Sequence, residues 1–121
     1  MTAPRTALAL AALTGAAGVA HFRTPEPFDG IVPPVVPGSA RFWTYASGVA
    51  ELAVAGLLAV PATRRLGGRA ASVLFVAVFP ANVQMAWDWR HEPLARQAIA
   101  VGRLPLQGVL VAASERVARE G

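Results

Sequence analysis

The sequence predicts an all-α protein, a bundle of four transmembrane helices with a proline-rich outer loop between helices 1 and 2. Three observations support this prediction: 55% of the 121 residues are hydrophobic, only 15% are charged, and the apolar residues form four separate stretches. A soluble domain of this length has too little interior to bury so much apolar surface, and soluble domains average about 25% charged residues. We therefore expect one domain, residues 1–121, in a lipid bilayer rather than a water-soluble enzyme.

The first apolar stretch covers residues 6–20 and contains no charged side chain. Arg5 precedes it, and His21 and Arg23 follow it. It is somewhat shorter than the roughly 20 residues that cross about 30 Å of hydrocarbon as a helix. A cleaved signal peptide with small residues at its end is the alternative interpretation, and cleavage would leave three spans. We expect the helix to be retained, because the family resemblance described below includes the residues around His21.

The other three stretches are close to the length of a membrane span. Residues 42–60 contain Glu51 as their only charge, residues 70–87 contain none, and residues 97–114 contain Arg103. Glycines are interspersed at positions 15, 18, 48 and 56. Small residues allow helices to approach closely in lipid, although loose packing without a specific contact explains these glycines equally well.

The segment of residues 23–39 connects the first two stretches and contains five prolines. This density of proline predicts that the segment is not a regular helix. Its apolar side chains indicate that it lies at the membrane interface or folds back over the bundle, and an exposed loop is the alternative. Residues 61–69 are expected to form a tight basic turn, and residues 88–96 carry both signs of charge.

The distribution of arginine predicts the orientation of the chain. With both termini inside, six arginines lie on the inner side and four on the outer side. The inner six are Arg5, Arg64, Arg65, Arg69, Arg116 and Arg119, and the outer four are Arg23, Arg41, Arg90 and Arg96. Because positive charge is enriched on the cytoplasmic side, we expect a multi-pass protein of a bacterial cytoplasmic (inner) membrane with both termini cytoplasmic.

Two charged residues lie inside apolar stretches, where an isolated charge is costly. Glu51 is about ten residues, or roughly 15 Å of helix, from Arg41, and Arg103 is about seven residues, or roughly 10 Å, from Arg96. Both depths are measured from the same face of the membrane. The sequence therefore predicts that Glu51 and Arg103 form an ion pair within the bundle.

Further polar residues fall in the same half of the membrane. Gln107 is one turn after Arg103, Asn82 follows Pro80, and His21 ends the first stretch. We take His21, Glu51, Asn82, Arg103 and Gln107 as candidate ligand-binding residues. The functional interpretation is a polar pocket for a quinone, another small ligand or a proton. The alternative is an ion pair and hydrogen bonds that only hold four short helices together.

Several functions are not expected from this sequence. Cysteine is absent, which excludes disulfides and thiol redox chemistry, and two histidines are too few for a histidine-only metal site. No catalytic or nucleotide-binding motif is present, so we assign no catalytic residue. The net charge of +4 is not accompanied by a basic run with interleaved aromatics, so we expect no nucleic-acid partner. Four aromatic residues near the ends of the stretches are expected to be interfacial anchors: Trp43, Tyr45, Trp87 and Trp89.

The order of several short motifs resembles the DoxX-like family of small four-helix membrane proteins. These motifs are GVAHFRTPEPFDGIVPPVVPG, SGVAELAVAGLLAVPATRRLG, VAVFPANVQMA and RLPLQ, which together extend over residues 18–107. The resemblance implies a four-helix fold and an association with redox proteins, and it matches the five candidate residues to polar motif positions of the family. This chain lacks the cysteines of thiol-linked relatives, so no dithiol role is carried over.

The functional expectation is an accessory or scaffold subunit of a membrane redox or stress-response assembly, without catalysis of its own. Its expected partners are the lipid bilayer and a membrane protein or redox enzyme, and no resident cofactor is assigned. The alternatives are a quinone-binding subunit of a membrane oxidoreductase, or a small transporter or assembly chaperone.

Overall fold

The computed structural model describes residues 2–121, and all regular secondary structure in this range is helical, as predicted. The elements in chain order are α1 (Ala3–Arg23), α2 (Glu26–Asp29), α3 (Ala40–Ala59), a 3₁₀ turn (Pro61–Thr63), α4 (Arg64–Ala77), α5 (Phe79–Asp88) and α6 (Leu94–Glu120).

Within residues 2–121, three helical segments are long and apolar enough to cross a membrane. They are α1, α3 and the continuous segment Pro61–Asp88, which includes α4 and α5. Helix α6 has 27 residues, or about 40 Å of length, but its charged side chains lower its hydropathy. The fold is therefore all-α, and its three apolar helices indicate a membrane protein.

The third predicted stretch differs from the structure at its beginning. The segment 61–69 was expected to be a tight turn, but only Pro61–Thr63 is a 3₁₀ turn, and α4 already starts at Arg64. Proline is well suited to the first position of a helix, and arginine and leucine favour a helical backbone, so the basic segment continues into the helix. The helix is then interrupted at Val78, two residues before Pro80, because proline has no N–H to donate.

Two antiparallel helix pairs form most of the packing, α1 against α3 and α4 against α6, with α3 also packed on α4. Glycine allows the close approach in both pairs. A Cβ at Gly48 would lie 3.0 Å from the Cβ of His21, and a Cβ at Gly68 would lie 2.6 Å from the backbone nitrogen of Ala118. Of the glycines singled out from the sequence, Gly18 is also closely packed, whereas Gly56 has no neighbour within 4 Å.

The two ends of the bundle are packed differently. Six buried apolar residues fill the end that carries both chain termini, which we name the closed end: Ala7, Leu10, Val54, Leu58, Ala71 and Val117. The opposite end, which we name the cavity end, contains the last turn of α1, the first turns of α3, the break between α4 and α5, and the first half of α6. This end contains a cavity instead of a continuous core.

The proline-rich segment is attached to α3 at the cavity end. Contrary to the expectation of no helix in this segment, one helical turn, α2, forms at Glu26–Asp29, because Pro25 and Pro27 occupy helix-start positions that need no N–H. Asp29 accepts hydrogen bonds from Thr44 Oγ1 (2.6 Å) and Arg41 Nε (2.9 Å). These two donors stabilise the carboxylate and hold the pKa of Asp29 below its ordinary value of 3.8.

Candidate functional site

A cavity of about 610 Å³ lies between the α1/α3 pair on one side and α4, α5 and α6 on the other. All five candidate residues predicted from the sequence line it: His21, Glu51, Asn82, Arg103 and Gln107. The remaining walls are mostly apolar, and they include residues from the proline-rich segment and from every long helix. A volume in this range and a mainly apolar lining with a few polar groups are typical of small-molecule sites.

The imidazole of His21 is held at the junction of α1, α2 and α3. Its Nδ1 lies 2.7 Å from the carbonyl oxygen of Ala17, and its ring stacks on Phe28 with a centroid distance of 3.7 Å. A carbonyl oxygen only accepts, so Nδ1 carries the proton of this hydrogen bond. In the neutral ring, Nε2 is then the nitrogen that accepts a hydrogen bond.

Glu51 pairs with His21 rather than with Arg103. The distance from Glu51 Oε2 to His21 Nδ1 is 3.2 Å, and both side chains are about nine-tenths buried. The proton on Nδ1 is already donated to Ala17, so Oε2 has electrostatic contact with the ring but no hydrogen bond among residues 2–121. Glu51 is therefore a buried carboxylate with an unused acceptor oxygen at the wall of the cavity.

The predicted ion pair between Glu51 and Arg103 is wrong for this structure, where no N···O distance within 4.0 Å joins them. Both residues line the cavity, as their similar depth implies. Depth along two helices does not determine which helices are neighbours. Helix α3 packs mainly against α1 and α4, whereas α6 packs mainly against α4. The last turn of α1 therefore brings His21 to Glu51.

Asn82 and Gln107 form a buried hydrogen-bonded pair across α5 and α6. Asn82 Nδ2 donates to Gln107 Oε1 at 2.6 Å, and Gln107 Nε2 donates to the backbone carbonyl of Phe75. Phe75 lies in the last turn of α4, where backbone carbonyls lack donors from a continuing helix. The side chain of Gln107 thus stabilises the interruption at Val78, and it also presents polar groups to the cavity.

Arg103 has no ion pair and no side-chain hydrogen bond among residues 2–121, although it is half-buried and lines the cavity. The structure therefore places the five predicted residues in one site as three units: the His21–Glu51 contact, the Asn82–Gln107 pair and the single cation of Arg103.

The sequence interpretation missed three contributors to this site. Phe28 covers His21, Thr44 connects the cavity wall to Asp29, and Trp43 lines the cavity although it was expected to be only an interfacial anchor. The indole of Trp43 donates to the carbonyl of Pro37 at 2.6 Å, which ties it to the proline-rich segment. The apolar residues of that segment were the only signal that it covers a site.

The polar side chains of the cavity differ in charge and in hydrogen-bonding capacity. Among residues 2–121 no group of three or more carboxylate or imidazole side chains is arranged to hold a metal ion. The cavity offers an imidazole, a carboxylate, two amides and a guanidinium, which suit the polar head of a molecule whose apolar part contacts the remaining walls.

Comparison with known proteins identifies the family of the chain but not its activity. No curated protein and no solved structure matches the chain significantly. A family model described as a domain of unknown function, DUF8561, matches residues 10–118. This match covers 109 of the 121 residues and includes all five candidate residues, and on this basis the chain belongs to the DUF8561 family.

Proposed function

We propose that this protein is an integral membrane protein that binds a small amphipathic molecule in the cavity, as an accessory subunit of a membrane redox or stress-response assembly. The class of amphipathic molecules includes the quinone expected from the sequence. One observation carries the proposal: five polar residues that are far apart in the sequence line a single cavity of about 610 Å³ with mainly apolar walls.

The alternative interpretation, polar contacts that only hold helices together, accounts for part of this arrangement. It explains the Asn82–Gln107 pair, which supports the interruption between α4 and α5. It does not explain a half-buried Arg103 without a partner or a Glu51 oxygen without a hydrogen bond. Buried polar groups are usually satisfied, so unused groups around a cavity favour a bound molecule.

The proposal includes four membrane crossings, with α6 as the fourth, and a proline-rich outer loop between the first two. Support comes from the length of α6 and from the location of the six arginines of the predicted inner side, which belong to the elements that meet at the closed end. The four-helix fold of the DoxX-like family, which the sequence resembles, agrees with this topology. A bacterial cytoplasmic membrane with both termini inside follows from the same arginine distribution.

Binding can be measured through Trp43, because its indole lines the cavity. In a variant with Trp87→Phe and Trp89→Phe, Trp43 is the only remaining tryptophan. A short-chain quinone should quench its fluorescence saturably, and a lipid extract of the purified protein should contain a bound small molecule. Quenching that rises linearly without saturation would contradict a binding site.

A matched pair of amide substitutions tests where the molecule binds. Asn82→Leu changes the cavity wall, whereas Gln84→Leu changes a side chain of the same helix that bonds Asp88 outside the cavity. Asn82→Leu should weaken binding at least about tenfold, and Gln84→Leu should leave it unchanged. Equal effects of the two substitutions would place the quenching molecule outside the cavity.

The topology is tested with single cysteines, which the natural chain lacks. Cysteines at Ser39 and Glu92 should react with an impermeant thiol reagent in intact cells, and cysteines at Ala62 and Glu120 should react only after lysis. Labelling of both Glu92 and Glu120 positions in intact cells would show that α6 does not cross the membrane.

A further inference from the structure

Arg103 is a cation in the wall of the cavity that has no hydrogen bond or ion pair among residues 2–121. A guanidinium carries five N–H donors and stays ionised, so it cannot relieve burial by losing its proton. Inside a membrane, arginines pair with other charges or with backbone carbonyls. Arg103 has no such partner among residues 2–121, although it faces a cavity large enough for a ligand.

The other charges of the cavity do not compensate Arg103. The cavity lining contains three titratable side chains, His21, Glu51 and Arg103. The carboxylate of Glu51 is 3.2 Å from the imidazole of His21 and is not within ion-pair distance of Arg103. Among residues 2–121, no carboxylate lies within ion-pair distance of the Arg103 guanidinium. The missing countercharge is therefore negative and belongs next to Arg103.

The remaining walls describe the rest of the ligand. Around Arg103 on α6, the cavity is lined by Ile99, Leu106 and Leu110, and the facing proline-rich segment adds Ile31 and Val32. These residues offer apolar contact but no donors from their side chains. A molecule that fits has one charged end and an aliphatic body, because the removal of apolar groups from water against these walls is favourable.

We infer that the cavity binds an anionic amphiphile, an alkyl chain with a carboxylate or phosphate head group, and that Arg103 holds this head group. The inference rests on the proposed function, since it names the class of molecule that occupies the proposed site. The planar fork of a guanidinium forms two parallel hydrogen bonds with either oxyanion, which explains why an arginine suits this position.

The test compares an acid with its neutral ester, so that only the charge of the head group changes. Bromododecanoate and methyl bromododecanoate both quench tryptophan on contact, and Trp43 reports their binding in the full-length chain with Trp87→Phe and Trp89→Phe, in neutral detergent. The acid should bind at least about tenfold more tightly than the ester. Arg103→Leu should abolish this preference, Arg103→Lys should retain part of it, and Arg65→Leu at the opposite end should leave it unchanged.

The ester serves as the internal control for folding and for the site itself. If the Arg103→Leu variant still binds the ester, it is folded and its cavity is intact. Loss of the tighter binding of the acid alone then supports the inference. Equal affinities of the acid and the ester for the chain that retains Arg103 would overturn the inference. The proposed binding site would remain in place. No saturable quenching by the acid, the ester or a short-chain quinone would overturn both.

The source of the oxyanion is distinguished by reconstitution. In nanodiscs, phosphatidylglycerol that competes with bromododecanoate would identify a bilayer phospholipid as the natural anion. If bromododecanoate binds equally well in phosphatidylglycerol and phosphatidylcholine nanodiscs, the phospholipid does not compete. The natural anion is then a molecule with a single alkyl chain. Either result retains Arg103 as the anion-binding residue.

Discussion

The closed end and the cavity end of the bundle are built from the same four long helical segments but are packed in opposite ways. At the closed end, small residues bring backbones together, and Gly68 lies directly against the backbone of α6. At the cavity end, α5 contacts α6 but is separated from α1 and α3 by the cavity. The α1/α3 pair is close-packed at both ends, and the gap between this pair and α5 leaves room at the cavity end for polar groups that a close-packed core would exclude.

The distribution of polar residues follows the same division. At the closed end, Thr14 and Ser114 are buried, and their hydroxyls donate to carbonyls of their own helices. At the cavity end, buried polar groups contact other helices, and Glu51 Oε2 has no hydrogen bond among residues 2–121. Two further buried atoms without a hydrogen bond, Arg64 Nε and Ser72 Oγ, lie on α4 outside the cavity. The buried hydroxyls of Thr14 and Ser114 thus satisfy carbonyls of their own helices, whereas the buried amides and carboxylate of the cavity end make contacts between helices. The following predictions test this division.

The largest effect is expected from Gly68→Ala at the closed end. The new methyl group would lie 2.6 Å from Ala118 N and 2.7 Å from Ser114 O, both of which are backbone atoms that cannot move aside independently. Overpacking of this kind costs about 1–3 kcal/mol. Unfolding in detergent should show this loss, whereas Gly56→Ala, with no neighbour within 4 Å, should be neutral or stabilising. Similar stabilities of the two variants would mean that α4 and α6 do not approach closely.

The next effect is expected from Gln107→Leu at the cavity end. This substitution removes the partner of Asn82 and the donor to the Phe75 carbonyl. Leaving buried polar groups unsatisfied costs about 1–3 kcal/mol. The substitution should therefore lower the free energy of unfolding by about this amount. The exposed amide of Gln84 provides the control, and Gln84→Leu should change stability by less than about 0.5 kcal/mol. Equal losses would indicate that Gln107 is not buried between helices.

A smaller effect distinguishes the two partners considered for Glu51. A double-mutant cycle with Glu51→Gln and His21→Phe should give a coupling of about 0.5–3 kcal/mol, and phenylalanine keeps the ring that stacks on Phe28. The cycle of Glu51→Gln with Arg103→Leu should be additive within about 0.5 kcal/mol. Coupling in the second cycle alone would show that Glu51 pairs with Arg103, as predicted from the sequence, and not with His21.

The smallest effect concerns the attachment of the proline-rich segment and depends on pH. The pKa of Asp29 is lower in the folded protein than its ordinary value of 3.8. The carboxylate therefore stabilises the fold fully when the pH is above 3.8, and this stabilisation is lost as the pH falls through the pKa of the folded protein. Trp43, which bonds Pro37, should report the release of the segment by its fluorescence below pH 3.8, with no change between neutral pH and 5. Asp29→Asn should remove this transition, and a transition unaltered by this substitution would assign it to another group.

The all-α fold class and the polar residues that line the cavity could both be predicted from the sequence. Apolar stretches of membrane length and a low charged fraction predict helices in lipid, because a soluble domain of about this length has too little interior for so much apolar surface. Polar residues within such stretches are costly, so they could be singled out by their presence alone. The structure brings His21, Glu51, Asn82, Arg103 and Gln107 to one cavity.

Which of these residues contact one another could not be predicted, because it depends on how the helices pack. Depth along a helix can be counted from the sequence, but the rotation of each helix and the choice of its neighbours depend on where small residues permit close approach. Gly48 allows α1 to lie against α3, which places His21 beside Glu51 and leaves Arg103 facing the cavity alone. The covering of the site by Phe28 likewise depends on the hydrogen bonds of Asp29 to α3, a long-range contact that no local pattern in the sequence encodes.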